Sequence, residues 1–377
     1  MEILKTQERN VVIVGENGSG KSFLLNRIAR HYAAQGGHVV AIANTIFDKF
    51  DRRGSNYEFI GARQGRSLPE RTIKRALMGS IEKGLINLKR ISRVLEYIGY
   101  SASLGFSIRG FVGYEAAKRI LELDPIRSDS HQGNGWFDYF FPDFTVFGVN
   151  IEKATWIHLD HESFTGIPGQ LLQLLNMEDS LRRAGVLKKI EVFLIKDGME
   201  IPVAKASSGE ISLLCCWLFI STKVEKGTYI LIDEPENSLH PAWQRDYFSR
   251  LLDLFDYYDL RITVATHSPL IVTAAAETMK SLSIYRSEMS EVGLLDYKSG
   301  NLEELLFDIF GVSTPANRHL SNTVKNLLNR LAQKEVGLEF VQQRINELKE
   351  LSFKDDVEQR EMLEGIRDLA IKMSERM

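Results

Sequence analysis

Cysteine is nearly absent from this chain of 377 residues: there are two, Cys215 and Cys216, and they are neighbours. Adjacent cysteines supply neither a disulfide framework nor a zinc site between them, so a reducing, cytoplasmic setting is expected. No apolar run approaches the roughly 18 residues of a membrane span. The longest, Leu213 to Ile220, suits a buried helix, and no membrane partner is expected. A global basic excess is missing too: the net charge is −3, so any nucleic-acid surface must be local. Hydrophobic residues at 44% and charged residues at 26% exclude general disorder. No leader is read at the start, because Val11-Val12-Ile13-Val14 runs straight into a glycine-rich loop. At roughly 150 residues per domain the length suggests two to three units, or one elaborated core with insertions.

What is present reads as an interrupted α/β core. Strand Val11–Val14 leads through Gly15-Glu16-Asn17-Gly18-Ser19-Gly20-Lys21-Ser22 into a helix from Phe23 to Ala33. A second strand, Val39 to Ala43, follows Gly36-Gly37, and Tyr57–Ala62 reads as a third. From about Leu68 to Leu123 the apolar spacing turns helical, and a Ser/Asp/Gly-rich linker, Ser128 to Gly135, closes that stretch. Ala154–Leu159 is strand-like; Glu191–Lys196 and Met199–Ala204 flank Asp197-Gly198, a hairpin signal. A helix from Glu210, strand Tyr229–Ile232, another helix and strand Arg261–Ala265 come next, with a mostly helical close after Val312. Four segments are expected: 1–65 and 146–312 as the core, 66–145 as a mainly helical insertion, and 313–377 as a helical C-terminal region.

Gly15-x-x-x-x-Gly20-Lys21-Ser22 is a complete phosphate-binding loop between a β-branched strand and a helix. Its glycines let backbone N–H groups curl around phosphate oxygens at a helix N-terminus. Lys21 would reach the β- and γ-phosphates of ATP, and the Ser22 hydroxyl would join a Mg²⁺ shell. The apolar strand Tyr229-Ile230-Leu231-Ile232 ends in Asp233-Glu234, one carboxylate for the metal and one for the attacking water. Two further elements accompany these. Ser207-Ser208-Gly209-Glu210 opens a helix ahead of Asp233, and Ala265-Thr266-His267-Ser268-Pro269 ends the next strand.

In that order, the four elements resemble the ABC-type ATPases. Ser207 falls on their signature serine, Gly209 on the second signature glycine and Glu210 on the glutamine, while Ser208 departs from the first glycine. His267 takes the place of their switch histidine, and Glu236-Asn237-Ser238-Leu239-His240-Pro241 that of the D-loop. The wording Asp-Glu-Pro-Glu-Asn-Ser-Leu-His-Pro is similar to the ABC ATPases related to RecF, SMC and OLD proteins. The arrangement also resembles the ATPase subunits of anti-phage systems such as Septu and retron-associated ATPases. The resemblance implies a homodimer, or a higher oligomer, with ATP and Mg²⁺ between Gly15–Ser22 of one copy and Ser207, Ser208, Gly209 and Glu210 of the other. It implies Glu234, His267 and Lys21 as catalytic residues and Ser22, Asp233 and Gln64 as metal ligands. The stretch from Lys21 to Ser207 is too short for a long coiled coil, and no TOPRIM constellation is read after His267. A separate effector, such as a nuclease, is therefore the expected partner, with a RecF-like DNA-binding repair ATPase as the alternative.

Weaker features stay open. Gln64 is either a metal-linked glutamine or an exposed turn residue. Between Arg63 and Arg93, nine basic residues (Arg63, Arg66, Arg71, Lys74, Arg75, Lys83, Lys89, Arg90, Arg93) face Glu70 and Glu82. This is either a phosphate-tracking stripe for DNA or RNA or a solvated helix face. The aromatics of Trp136 to Phe144 fit core or interface better than base stacking. His158, Asp160 and His161 do not share one strand face, which argues against a metal cluster. Leu363, Ile366, Ala370 and Met373 have the spacing of a packing helix.

Overall fold

The computed structural model describes residues 3, 9–51, 54–65, 67–83, 85–123, 145–146, 149–150, 153–159, 169–288, 291–295, 318–351 and 357–375. The elements begin with β1 (Asn10–Val14), α1 (Lys21–Ala34), β2 (Val39–Ala43), β3 (Tyr57–Gly61), α2 (Leu68–Lys83), α3 (Leu85–Ile98), β4 (Ser103–Arg109) and α4 (Tyr114–Leu123). Then follow β5 (Thr145–Val146), β6 (Val149–Asn150), β7 (Thr155–His158), α5 (Gly169–Arg183), β8 (Lys189–Lys196), β9 (Met199–Pro202), α6 (Ser208–Lys223) and β10 (Tyr229–Asp233). The chain continues through α7 (Pro241–Phe255), β11 (Arg261–Thr266), α8 (Pro269–Thr278), β12 (Leu282–Glu288), β13 (Glu291–Leu295), α9 (Arg318–Ala332), α10 (Leu338–Leu351) and α11 (Val357–Glu375). Two compact units emerge: Met1–Leu24 with Val264–Met377, and Leu25–Thr263. This division does not follow the four segments expected from sequence.

In the 25–263 unit, β2 is flanked by two parallel neighbours, with Val39 opposite Tyr57 of β3 and opposite Tyr229 of β10. All five β2 residues are buried, the uniform apolar pattern of a strand covered on both faces. A second sheet, ordered β7-β4-β8-β9, is antiparallel. Its β8–β9 arm is the hairpin signalled by Asp197-Gly198, with Lys196 opposite Met199. Helices α2 and α3 pack on α6. Because α6 is enclosed, it is apolar nearly all round, and Leu213, Leu214, Trp217, Leu218 and Ile220 are all buried.

One stretch differs from expectation. The segment Leu68–Leu123 is not continuously helical, because β4 interrupts it. The first six β4 residues are buried and the strand lies between β7 and β8. Leu104, Phe106 and Ile108 alternate with Ser103, Gly105 and Ser107, a strand pattern hidden between two stretches of helical spacing.

In the other unit, β1 runs parallel to β12, with Val12 opposite Ile284, and β12 pairs antiparallel with β13. Helices α9, α10 and α11 share a core of Val324, Leu331, Val341, Ile345, Leu348, Leu363 and Ala370. Burying each of the larger side chains contributes about 1.5–3 kcal/mol. Leu363 and Ala370 thus face the core that their spacing implied. The class is the expected one, a mixed α/β fold with parallel strands and flanking helices. Among the described residues, no helix is long and apolar enough to cross a membrane. The expectations for Ser128–Gly135, Trp136–Phe144, Asp160 and His161 lie outside the described residues.

Candidate active site

The strongly buried strand β1 ends where the phosphate loop begins. Gly18 and Gly20 sit at φ +85° and +93°, a region that L side chains rarely adopt, and this lets the loop curl before α1 starts at Lys21. Leu24 N–H donates to Gly20 O, closing the first turn. Glu16, Asn17 and Gly18 form the exposed crest, and Gly15, Ser19, Gly20 and Ser22 are half-buried below it. Lys21 is 4% exposed; its Nζ donates to Gly15 O and Glu16 O, both at 2.8 Å. The ammonium is thereby folded over the loop's own carbonyls, where a phosphate can compete for it. Ser287 of β12 buttresses the loop by donating its hydroxyl to Ser19 O at 2.9 Å.

In the 25–263 unit, β10 delivers Asp233 fully buried and Glu234 half-buried at its carboxyl end, the usual location of ligand sites in α/β sheets. Glu234 adopts φ +49°, a left-handed conformation that costs a non-glycine residue on the order of 1 kcal/mol. Two donors hold its carbonyl: Asn237 N–H at 3.2 Å and Asn44 Nδ2 at 3.4 Å. Asn44 N–H donates to Asp233 O at 3.2 Å, and Asn237 Nδ2 returns a bond to Asn44 O at 3.3 Å. Ser238 follows at φ +64°, and α7 opens with His240 accepting from Ala242 N–H and Pro241 in its first turn.

The signature segment meets that turn directly. A Cβ on Gly209 would stand 2.3 Å from Ser238 O, so only glycine allows α6 to start this close to residue 238. Ser207 is the N-cap of α6, yet its side chain makes no capping hydrogen bond, and both Ser207 and Ser208 are exposed. The open N-terminus of a 16-residue helix favours an anion. Glu210 is engaged differently. Its Oε1 pairs with Lys196 at 2.6 Å and its Oε2 accepts from the Tyr100 hydroxyl, so the carboxylate serves the packing of its own chain. Burial and the Glu210 charge push the Tyr100 phenol well above its ordinary pKa.

Gln64 lies in a short 3₁₀ turn, Ala62–Gln64, after β3, and its amide turns back to donate to Phe59 O at 3.4 Å. It lines a cavity of about 630 Å³ together with Glu58, Thr72, Arg75 and Lys223. His267 is half-buried just after β11, where Ser268 N–H donates to Thr266 Oγ1 at 2.9 Å and turns the chain into α8. The basic stripe is interrupted. Lys74 is buried against Glu178 at 2.8 Å, Arg63 pairs with Asp48 at 3.3 Å, and Arg90 lies over the Tyr258 ring. Arg71, Arg75, Lys89 and Arg93 remain exposed, while nothing is described of the side chains of Arg66 and Lys83. His158 bonds Ser103, and the described residues hold no group of three His, Cys, Asp or Glu side chains suited to a metal.

Two residues important to this geometry escaped the sequence reading, Asn44 and Tyr100. The signal for Asn44 was present: a polar residue closing a wholly apolar strand, at the end of the sheet where ligands bind. Tyr100 gave no comparable signal, since its partner Glu210 is 110 residues away.

A phosphate loop at a helix start, a buried Asp followed by Glu at the end of an apolar strand, and a signature-type helix opening define an ABC/AAA-type P-loop ATPase. The chain binds ATP and hydrolyses it. It belongs to the family described as AAA domain, putative AbiEii toxin, Type IV TA system, whose model matches residues 73–273. The model described as ABC transporter matches residues 4–102. No curated protein matches the chain.

Proposed function

We propose that this ATPase works as a head-to-tail homodimer, each nucleotide being held by Gly15–Ser22 of one copy and Ser207–Gly209 of the other. The observation that carries this reading is the start of α6, where two exposed serines stand at a helix N-terminus whose cap hydroxyl makes no capping bond. Such a terminus attracts the γ-phosphate of a second copy, and hydrolysis removes that bridge. In this reading Glu234 orients or deprotonates the attacking water, His267 senses the γ-phosphate and Lys21 neutralises the β- and γ-phosphates. Ser22 and Asp233 are the proposed Mg²⁺ donors. The donor chemistry fits, since both offer hard oxygens, a hydroxyl from Ser22 and a carboxylate from the fully buried Asp233. Mg²⁺, when bound, supplies charge neutralisation on the phosphates. Glu234→Gln is expected to retain ATP and accumulate a closed dimer; turnover at the wild-type rate would remove Glu234 from this role. Ser207→Arg is expected to abolish hydrolysis while sparing ATP binding, and intact hydrolysis would remove the shared site.

The biological role proposed is that of the regulatory ATPase in a bacterial anti-phage complex, restraining or licensing a separate effector of nuclease chemistry. The family description names a toxin of a toxin–antitoxin system, which favours an ATPase acting with a partner protein. Co-purification from the native operon tests this. An isolated chain, together with unchanged phage protection on deletion, contradicts it. The four exposed cations Arg71, Arg75, Lys89 and Arg93 favour a second reading, direct binding of DNA or RNA in the RecF manner. ATP-dependent, salt-sensitive binding lost in Arg75→Glu/Lys89→Glu supports it. Lys74 is unsuitable for that test because its ion pair is buried.

A further inference from the structure

We propose that Asn44 is a positioning residue that ties the first turns of α6 to the backbone of Glu234, so that movement of the signature segment is felt at the hydrolytic carboxylate. The inference rests on the role given to Glu234 above. Asn44 is the first residue after β2, and its side chain divides its two functions between two elements. Its Oδ1 accepts from α6, from Ser212 Oγ at 3.2 Å and Cys216 Sγ at 3.2 Å. Its Nδ2 donates to Glu234 O at 3.4 Å. The backbone of Asn44 completes the junction through Asp233 O and Asn237 Nδ2. One amide therefore touches the signature helix one and two turns in from Ser208, and also the residue that carries the proposed base.

Close packing does not make this link redundant. A cavity of about 370 Å³ lies between the two sides, lined by Asn44 and Ala62 on one wall and by Ser208, Ile211, Ser212 and Cys216 on the other. This space is a cleft partly open to solvent, so polar bonds help to set the spacing between α6 and the end of β2. The left-handed conformation of Glu234 adds a reason for sensitivity. A backbone held at φ +49° by two donors relaxes when one donor leaves, and the side chain turns with it. Gly209 against Ser238 also connects α6 to this turn, by shape. Asn44 adds a directional link.

The test is steady-state kcat and KM for ATP in the full chain, with Glu234→Gln alongside. Asn44→Ala is expected to lower kcat about 30-fold with KM changed less than about twofold, as for an interaction expressed only in the transition state. Ser212→Ala is expected to lower kcat about fivefold in the wild type and to have no further effect in the Asn44→Ala background, the signature of a shared link. Wild-type kcat in Asn44→Ala, or additive losses in the double variant, overturns the proposal. Should Asn44→Ala fail to fold, Ser212→Ala/Cys216→Ala removes both donors to Oδ1 without touching the Glu234 bond. It is then expected to lower kcat at constant KM, and unchanged kcat overturns the proposal. Glu234→Gln separates the two levels. Full turnover in that variant defeats the reading of Glu234 itself, whereas its loss alongside an active Asn44→Ala defeats the coupling alone.

Discussion

Replacing Gly209 by alanine adds one methyl group where α6 passes closest to the chain after Glu234. The new Cβ would lie 2.3 Å from Ser238 O, against 3.4 Å or more for ordinary contact, so something must move by about 1 Å. Neither side yields easily. The obstacle is a backbone carbonyl, and Ser238 is already in a left-handed conformation at φ +64°. Overpacking of this kind costs about 1–3 kcal/mol, while alanine in place of glycine in a helix returns about 0.5–1 kcal/mol. The net expectation is a loss of ~1–2 kcal/mol, read as a lower melting temperature. Activity should suffer more than stability. A displacement of about 1 Å beside Glu234 and at the proposed phosphate contact lowers kcat by on the order of 100-fold. ATP binding at the phosphate loop, measured by fluorescent-nucleotide titration, should stay within a few-fold of wild type because Gly15–Ser22 is untouched. Full kcat together with a raised melting temperature would mean that helix propensity outweighs the contact, and would refute the reasoning.

Lys21→Ala removes the ammonium that bonds Gly15 O and Glu16 O and should abolish ATP binding while leaving the circular dichroism spectrum unchanged; retained affinity would contradict the phosphate-loop assignment. Glu210→Ala leaves the Tyr100 hydroxyl without its acceptor and Lys196 without its partner, and should cost ~1–3 kcal/mol in chemical denaturation. An unchanged unfolding midpoint would show that this pair contributes nothing. Burial pushes the Cys216 thiol up to about 12, and Cys215 is raised further by burial and its neighbour. At pH 8 the Cys216 thiolate is then about one part in 10⁴, so thiol reagents should label the native chain only after unfolding. The sign for stability follows: the folded state disfavours the thiolate, so this contribution is complete below the unfolded value near 9 and is lost as pH rises toward about 12. Rapid native-state labelling at pH 8, or stability that increases across that alkaline range, would contradict the enclosed placement of α6.

The phosphate loop, Asp233-Glu234 and the start of α6 were legible because each is a local pattern: glycines at fixed offsets, carboxylates ending an apolar strand, a capping-type serine before a buried helix. The strands β1, β2, β3 and β10 were legible for the same reason, being short apolar runs closed by glycine or polar residues. β4 was not: Leu104, Phe106 and Ile108 do alternate with Ser103, Gly105 and Ser107, but this short pattern lies between longer stretches of helical spacing. Nor was the inward turn of Glu210, which depends on Tyr100 arriving from the connection between α3 and β4 and Lys196 from the end of β8. The basic stripe shows the same limit. Sequence counts charge along the chain, but Glu178 and Asp48 decide which cations reach the surface, and they come from other elements. Asn44 lies between these cases. Its position at the end of β2 marked it, and only the fold revealed that Ser212, Cys216, Glu234 and Asn237 converge upon it.

The central claim, that each nucleotide is shared between two copies, is tested most directly by mixing two variants that are inactive alone. Lys21→Ala spoils the phosphate loop and Ser207→Arg spoils the signature. A mixed dimer carries one site with both defects and one with neither. Equal mixing is predicted to restore ATP hydrolysis to about one quarter of the wild-type rate, since half the dimers are mixed and half their sites are intact. A mixture as inactive as its components, under conditions where the two chains demonstrably exchange, would contradict the account.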